Sequence, residues 1–248
     1  MIKKIMIVVA LLGLPASFAF ANAEKAKELI EYVDDMYRSS ASRATMTMRV
    51  QTPNYERSMT MESLSIGQEK ALIRILAPKK ERGIATLKME KEMWNFFPKI
   101  NKTIKVPPSM MMGSWMGSDF TNDDLVKETS LVEDYSLALE EDAGDYVITL
   151  TPMEKTVTVW DKIVVKIDME TRVPKEQAFF DEKGRKVRVM TYKSPRLFGD
   201  VSLPSIMEMI PLNKDGHKTV VEYEALELNA KDVEDDMFTL RSLKKRIR

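Results

Sequence analysis

The chain has no cysteine and a single histidine, His217, among its 248 residues. These absences exclude disulfides, thiol nucleophiles, CxxC redox sites and histidine-rich zinc sites. His217 follows Asp215-Gly216 in a predicted hairpin turn, where it reads as a solvated turn residue rather than a catalytic base. There is no GxSxG elbow, GxGxxG or P-loop. An excess of one charge is missing too: 38 basic residues stand against 38 acidic ones, so nucleic acid is not called for as a partner. The acidic groups at Glu140-Glu141-Asp142 and from Asp232 to Asp236 lack the spacing of an EF-hand and read as solvated loops. A glycosidase could work with two carboxylates alone, yet no pair stands out. The expectation is therefore a protein that is not an enzyme, with no catalytic residue, no metal ligand set and no cofactor.

Long apolar runs are absent except at the start. Lys3 and Lys4 precede an apolar stretch from Ile5 to Phe18, followed by Ala19-Phe20-Ala21, the form of a secretory signal peptide with small residues at the cleavage positions. Residues 1–21 are expected to be removed, leaving Asn22 first; Ala21-Asn22-Ala23 offers an alternative cut before Glu24. Pro15 interrupts a run already short for a membrane span, and without cysteine the chain cannot be a lipoprotein. The expected location is the periplasm. The remaining 227 residues carry 36 basic and 38 acidic side chains, and without disulfides they depend on an ordinary core.

What is present is period. Ala26, Leu29, Ile30, Val33, Met36 and Tyr37 fall at helical spacing between Glu24 and about Ser40, opposite a charged face. From Arg43 the period becomes two, with Ala44, Met46, Met48 and Val50 on one side of a half-buried strand. Alternating runs follow near 57–66, 70–77, 84–90, 92–97 and 102–106, with a slip of phase at Glu62-Ser63 that a β-bulge would produce. Hairpins are predicted around Gly144, across Asp181 to Gly184 and across Asn213 to Gly216. These are about a dozen short strands in hairpin order with no βαβ spacing, and a sheet of that size curls and encloses space.

Between the two sets of strands lies PPSMMMGSWMGSDFTNDDLV, residues 107–126. Methionine is unbranched and polarizable, so Met110, Met111, Met112 and Met116 beside Trp115 and Phe120 suit an apolar surface that adapts to its partner. Residues of the same kind could instead plug one end of a β core. Pro107-Pro108 and Thr121-Asn122-Asp123-Asp124, an acidic capping box before Leu125, predict two short helices, hinged near Gly113 and Gly117.

Met93-Trp94-Asn95-Phe96-Phe97-Pro98, basic Lys99, Lys102 and Lys105, then Gly117-Ser118-Asp119-Phe120 and Asp124-Leu125 resemble the LolA-like family of outer-membrane lipoprotein-sorting proteins. There a W-x-Y-x-P strand precedes a G-S-D-F…D-L segment; here position 96 is phenylalanine. The resemblance implies a mainly β (α+β) fold over residues 22–248. That fold is a half-open antiparallel β-barrel of about eleven strands with an N-terminal helix and a lid at about residues 107–128, enclosing an apolar cavity. It further implies a periplasmic carrier of lipid or lipoprotein acyl chains. The partners implied are an inner-membrane transporter of RND or ABC type and an outer-membrane acceptor. The lid contacts would be Met110, Met111, Met112, Trp115, Met116, Phe120 and Leu125, and the wall Met46, Met48, Met59, Met61, Trp94 and Phe96. The family's lid-latching arginine is matched by no motif here. Related proteins of RseB type act as lipid-responsive sensors, so a sensor or adaptor that binds a partner protein is the alternative; a structural plug is the third reading.

Overall fold

Strand β1 (Ser42–Gln51) buries Ala44, Met46, Met48 and Val50 and half-exposes the residues between them, as its period of two predicts. The computed structural model describes residues 16–126, 131–156 and 158–245. Residues 1–15 of the expected signal and residues 127–128 of the expected lid lie outside them. After β1 come β2 (Glu56–Ile66), β3 (Lys70–Ala77), β4 (Ala85–Met89), β5 (Glu92–Phe97), β6 (Lys102–Lys105) and β7 (Tyr135–Asp142). Then follow β8 (Asp145–Pro152), β9 (Lys162–Asp168), β10 (Pro174–Phe180), β11 (Lys186–Phe198), β12 (Val201–Pro211) and β13 (Lys218–Leu228). Thirteen strands form one sheet, more than the roughly eleven expected. The expected runs omit β9, although its Ile163, Val165 and Ile167 alternate as cleanly as β1.

Chain topology dictates where an opening falls. The order is β6-β5-β4-β3-β2-β1-β13-β12-β11-β10-β9-β8-β7, every neighbouring pair antiparallel. Two meanders are thus joined along β1 and β13, and the two edges, β6 and β7, are consecutive in sequence. The sheet is mainly β and not closed, a half-open barrel. The chain between its two edges is the Met-rich segment.

Helix α1 (Ala16–Asp35) runs along the inner face, with Ala26, Leu29 and Ile30 buried against β7–β10 and Met36 against β1, β2 and β13. It stops before the expected Ser40: Arg38 and Ser39 donate backbone N–H groups back to the Asp35 carbonyl, and Ser39 turns left-handed at φ 47°. Among the described residues no helix is long and apolar enough to cross a membrane.

The slip of phase in β2 has a cause other than the one predicted. Pairing with β1 is continuous, and the irregularity against β3 lies between Thr60 and Met61. Leu64 breaks the pattern because the sheet is buried on both faces there. With Leu72, Leu87 and Phe96 it packs outward against Ala230, Val233, Phe238 and Leu243 of the C-terminal segment, which ends in helix α3 (Leu240–Leu243). Arg74 clips this segment down by donating to the Ser242 carbonyl at 2.8 Å.

Candidate functional site

Inside the barrel lies a cavity of about 270 Å³. Its floor comes from rows of inward side chains: Met46 pairs with Met61 on β2 and with Tyr223 on β13, and Ile73 and Ala44 flank Ser63. Met190 and Met207 extend it along β11 and β12, and Val33, Tyr37 and Arg38 close it from the side of α1. Across the top lie Trp115, Phe120 and Leu125.

The lid holds its shape through its own polar groups. Thr121 and Asp124 bond reciprocally, Thr121 N–H to Asp124 Oδ2 at 2.7 Å and Asp124 N–H to Thr121 Oγ1 at 3.1 Å. This is the expected capping box, and it starts α2 (Asn122–Val126). The first expected helix is only a 3₁₀ turn, Pro108–Met110, tied to α2 by Asn122 Nδ2 donating to the Met110 and Gly113 carbonyls. Met116 and Gly117 both have positive φ, 50° and 72°, as the centre of a tight turn in which Ser118 N–H returns to the Trp115 carbonyl.

Among the described residues, polar contacts of three further kinds, beside a Trp115–Thr86 hydrogen bond, tie the lid to the barrel. Arg57, paired with Glu81, donates from Nη1 to the Met116 carbonyl at 2.8 Å. Asp119 accepts from Thr219 Oγ1 at 2.7 Å and faces His217 Nδ1 at 3.5 Å, so His217 is half-buried against the lid and not the solvated turn residue expected. Arg188 on β11 grips Asp124 with both terminal nitrogens, at 2.8 and 2.6 Å, and lies over the rings of Trp160 and Phe179 at 4.4 and 4.1 Å. Arg188 thus ties α2 to β11, a contact that no motif revealed. Its only sequence signal is a charge set between Val187 and Val189 in an alternating strand.

Of the expected lid and wall residues, the structure gathers Met46, Met61, Trp115, Phe120 and Leu125 around the cavity. Met48 and Met59 share the same face one row along, buried in the core without lining the cavity. Met111 packs on Met93 and Val106, and Met116 on the main core, while Met110 and Met112 are exposed. Trp94 and Phe96 do not line the cavity; they face the C-terminal segment across the sheet. Asn95 between them faces inward and accepts from Thr86 Oγ1, which itself accepts from Trp115 Nε1 at 3.1 Å.

The cavity is not purely apolar. Tyr37, Tyr192 and Tyr223 line it, and burial pushes each phenol upward, Tyr223 to about 12. Arg38, Arg188, Gln177 and a buried Ser42–Ser65 hydroxyl pair at 2.8 Å add polar surface. Among the described residues no group of His, Asp or Glu gathers to hold a metal ion.

A family model described as "uncharacterized protein" matches residues 67–245. No curated protein matches the chain in sequence. Solved structures share its fold, three of them as follows. A Vibrio parahaemolyticus domain named for outer-membrane lipoprotein sorting is 21% identical, with 90% of this chain and 100% of that one aligned at a TM-score of 0.75. A DUF1329 family protein from Desulfovibrio piger is 18% identical over 90% and 99% of the two chains, TM-score 0.78. A LolA superfamily protein from Nitrosomonas europaea is 21% identical over 89% and 99%, TM-score 0.70.

Proposed function

The chain belongs to the family described as "uncharacterized protein", whose model spans residues 67–245, and has a LolA-like fold; from these premises we propose that it is a periplasmic carrier for a lipid or lipidated ligand. The observation that carries this reading is the largely apolar cavity roofed by a segment held down at its rim by polar contacts. A carrier needs such a site because each methylene taken out of water contributes about 0.8 kcal/mol, so a dozen amount to roughly 10 kcal/mol. Delivery then requires that hold to weaken. Lifting the lid uncovers the cavity and so offsets part of the cargo's burial.

The volume sets a scale. At about 270 Å³ the cavity lies at the small end of ligand pockets, which run roughly 300–1,000 Å³, so the closed form suits one acyl chain. A multi-chain cargo requires the lid to lift. The basic-then-apolar N-terminal stretch, residues 1–21, is the part of the chain that supports export to the periplasm, and the resemblance to lipoprotein-sorting proteins supports traffic toward the outer membrane. Transfer between an inner-membrane transporter and an outer-membrane acceptor completes the reading.

The test is native mass spectrometry of the mature protein purified from its own periplasm, with extraction and identification of bound lipid. A stoichiometric acyl-containing ligand is the expected result. A clean apo mass with no uptake of added phospholipid or lipopeptide would overturn the carrier reading.

A further inference from the structure

Beyond an apolar hold, we propose that the cavity selects a cargo whose head is an oxyanion, a carboxylate or a phosphate, and that Arg38 recognises it. This rests on the carrier reading and names the class of cargo.

Arg38 follows α1 and lines the cavity, and its Nη1 is buried without a hydrogen-bond partner among the described residues. The other guanidinium at the cavity, Arg188, is committed to a carboxylate and keeps only its Nε without a partner among the described residues. Arg188 holds Asp124 through both terminal nitrogens, and Asp34 and Asp123 each have interactions of their own. Arg38 therefore offers a donor to whatever enters. Its charge acts on the neighbouring Tyr223 hydroxyl, and the Tyr223 ring stacks on Tyr37 at 4.6 Å, so phenol and guanidinium stand together at one wall.

The adjoining surface is apolar. Tyr223 is the cross-strand partner of Met46, which pairs onward with Met61. An amphiphile thus finds a place for its tail along the methionine row and for its head at Arg38. A guanidinium presents a planar fork that matches the two oxygens of a carboxylate or phosphate. A neutral alcohol or ester head offers the same N–H a weaker acceptor, so the site discriminates by head and not by tail.

The experiment uses the delipidated mature protein and four ligands sharing one oleoyl or oleyl chain, each kept below its micelle concentration: oleate, lysophosphatidate, oleyl alcohol and monoolein. Binding is read by titration calorimetry. Oleate, lysophosphatidate or both are expected to bind at least about tenfold tighter than the two neutral ligands. The member of the anionic pair that wins identifies the head as carboxylate or phosphate. In Arg38→Gln the preference collapses while neutral ligands bind as before, and in Arg38→Lys, which keeps the charge, much of it survives. Equal binding of anionic and neutral ligands, or an undiminished preference in Arg38→Gln, overturns this inference and leaves the carrier reading standing. Failure of all four to bind the wild type overturns both. If Arg38→Gln does not fold, the wild-type ratio and Arg38→Lys still decide.

Discussion

Single residues settle how this cavity behaves with pH. The Tyr37 hydroxyl donates to the Pro204 carbonyl at 2.8 Å and the Tyr192 hydroxyl to Gln177 Oε1 at 3.3 Å, while Tyr223 stacks on Tyr37. Burial disfavours the phenolate in all three and moves their ionisation above the ordinary value of 10.0. The stability that follows from this is fully present below pH 10 and is lost as pH rises from there toward the folded-state values, about 12 for Tyr223. The melting temperature is therefore expected to fall as pH rises above about 10, with phenolate absorbance from these residues appearing only as the protein unfolds. A melting temperature unchanged between about pH 9 and 11.5 would contradict it. Legibility at this scale was uneven. The burial of Ala44, Met46, Met48 and Val50 followed from alternation alone. Trp94 and Phe96 were read onto the wrong side of β5, because a period of two separates the faces without saying which one is inside. Arg188 was invisible because its partner, Asp124, lies 64 positions away.

Among elements, the two segments that cover the sheet do different work. Residues 107–126 lie over the inner face, and the C-terminal segment with α3 lies over the outer face of β2–β5. Phe238 packs among Leu64, Leu87 and Phe96, across the sheet from the cavity, so Phe238→Ala is expected to cost about 3 kcal/mol of stability while leaving oleate affinity within about twofold. Trp115 touches both core and cavity, so Trp115→Ala is expected to lower stability and affinity together. Denaturant unfolding and ligand titration on the two variants separate the cases; a loss of affinity in Phe238→Ala equal to that in Trp115→Ala would show that the faces are not independent. The sequence anticipated the lid as an element, down to the Thr121–Asp124 capping box, because that signal is local. It did not anticipate the C-terminal cover, whose apolar residues are spread over turns without a period.

For the whole molecule, the question is whether the lid must move for cargo to pass. The chain lacks cysteine, so an introduced pair has no competing thiols. Asp119 accepts from Thr219 Oγ1 at 2.7 Å, which makes Asp119→Cys with Thr219→Cys a short clasp between lid and β13. When oxidised, this variant is expected to take up and release a labelled fatty acid at least about tenfold more slowly than when reduced, because a fixed lid blocks a passage gated by its opening. Stopped-flow exchange in both redox states checks this, and equal rates would mean that cargo enters elsewhere.

Composition and period by themselves determined the strand-rich architecture, the inner face of β1 and the place of the lid, because each is written in residue type or in the order of near neighbours. The gap in the sheet, the burial of β2–β5 on both faces, the outward turn of Trp94 and Phe96, the grip of Arg188 on Asp124 and the position of Arg38 at the cavity were decided by tertiary structure alone. Each depends on pairing between residues tens to more than a hundred positions apart, and only closure of β1 onto β13 brings them into reach.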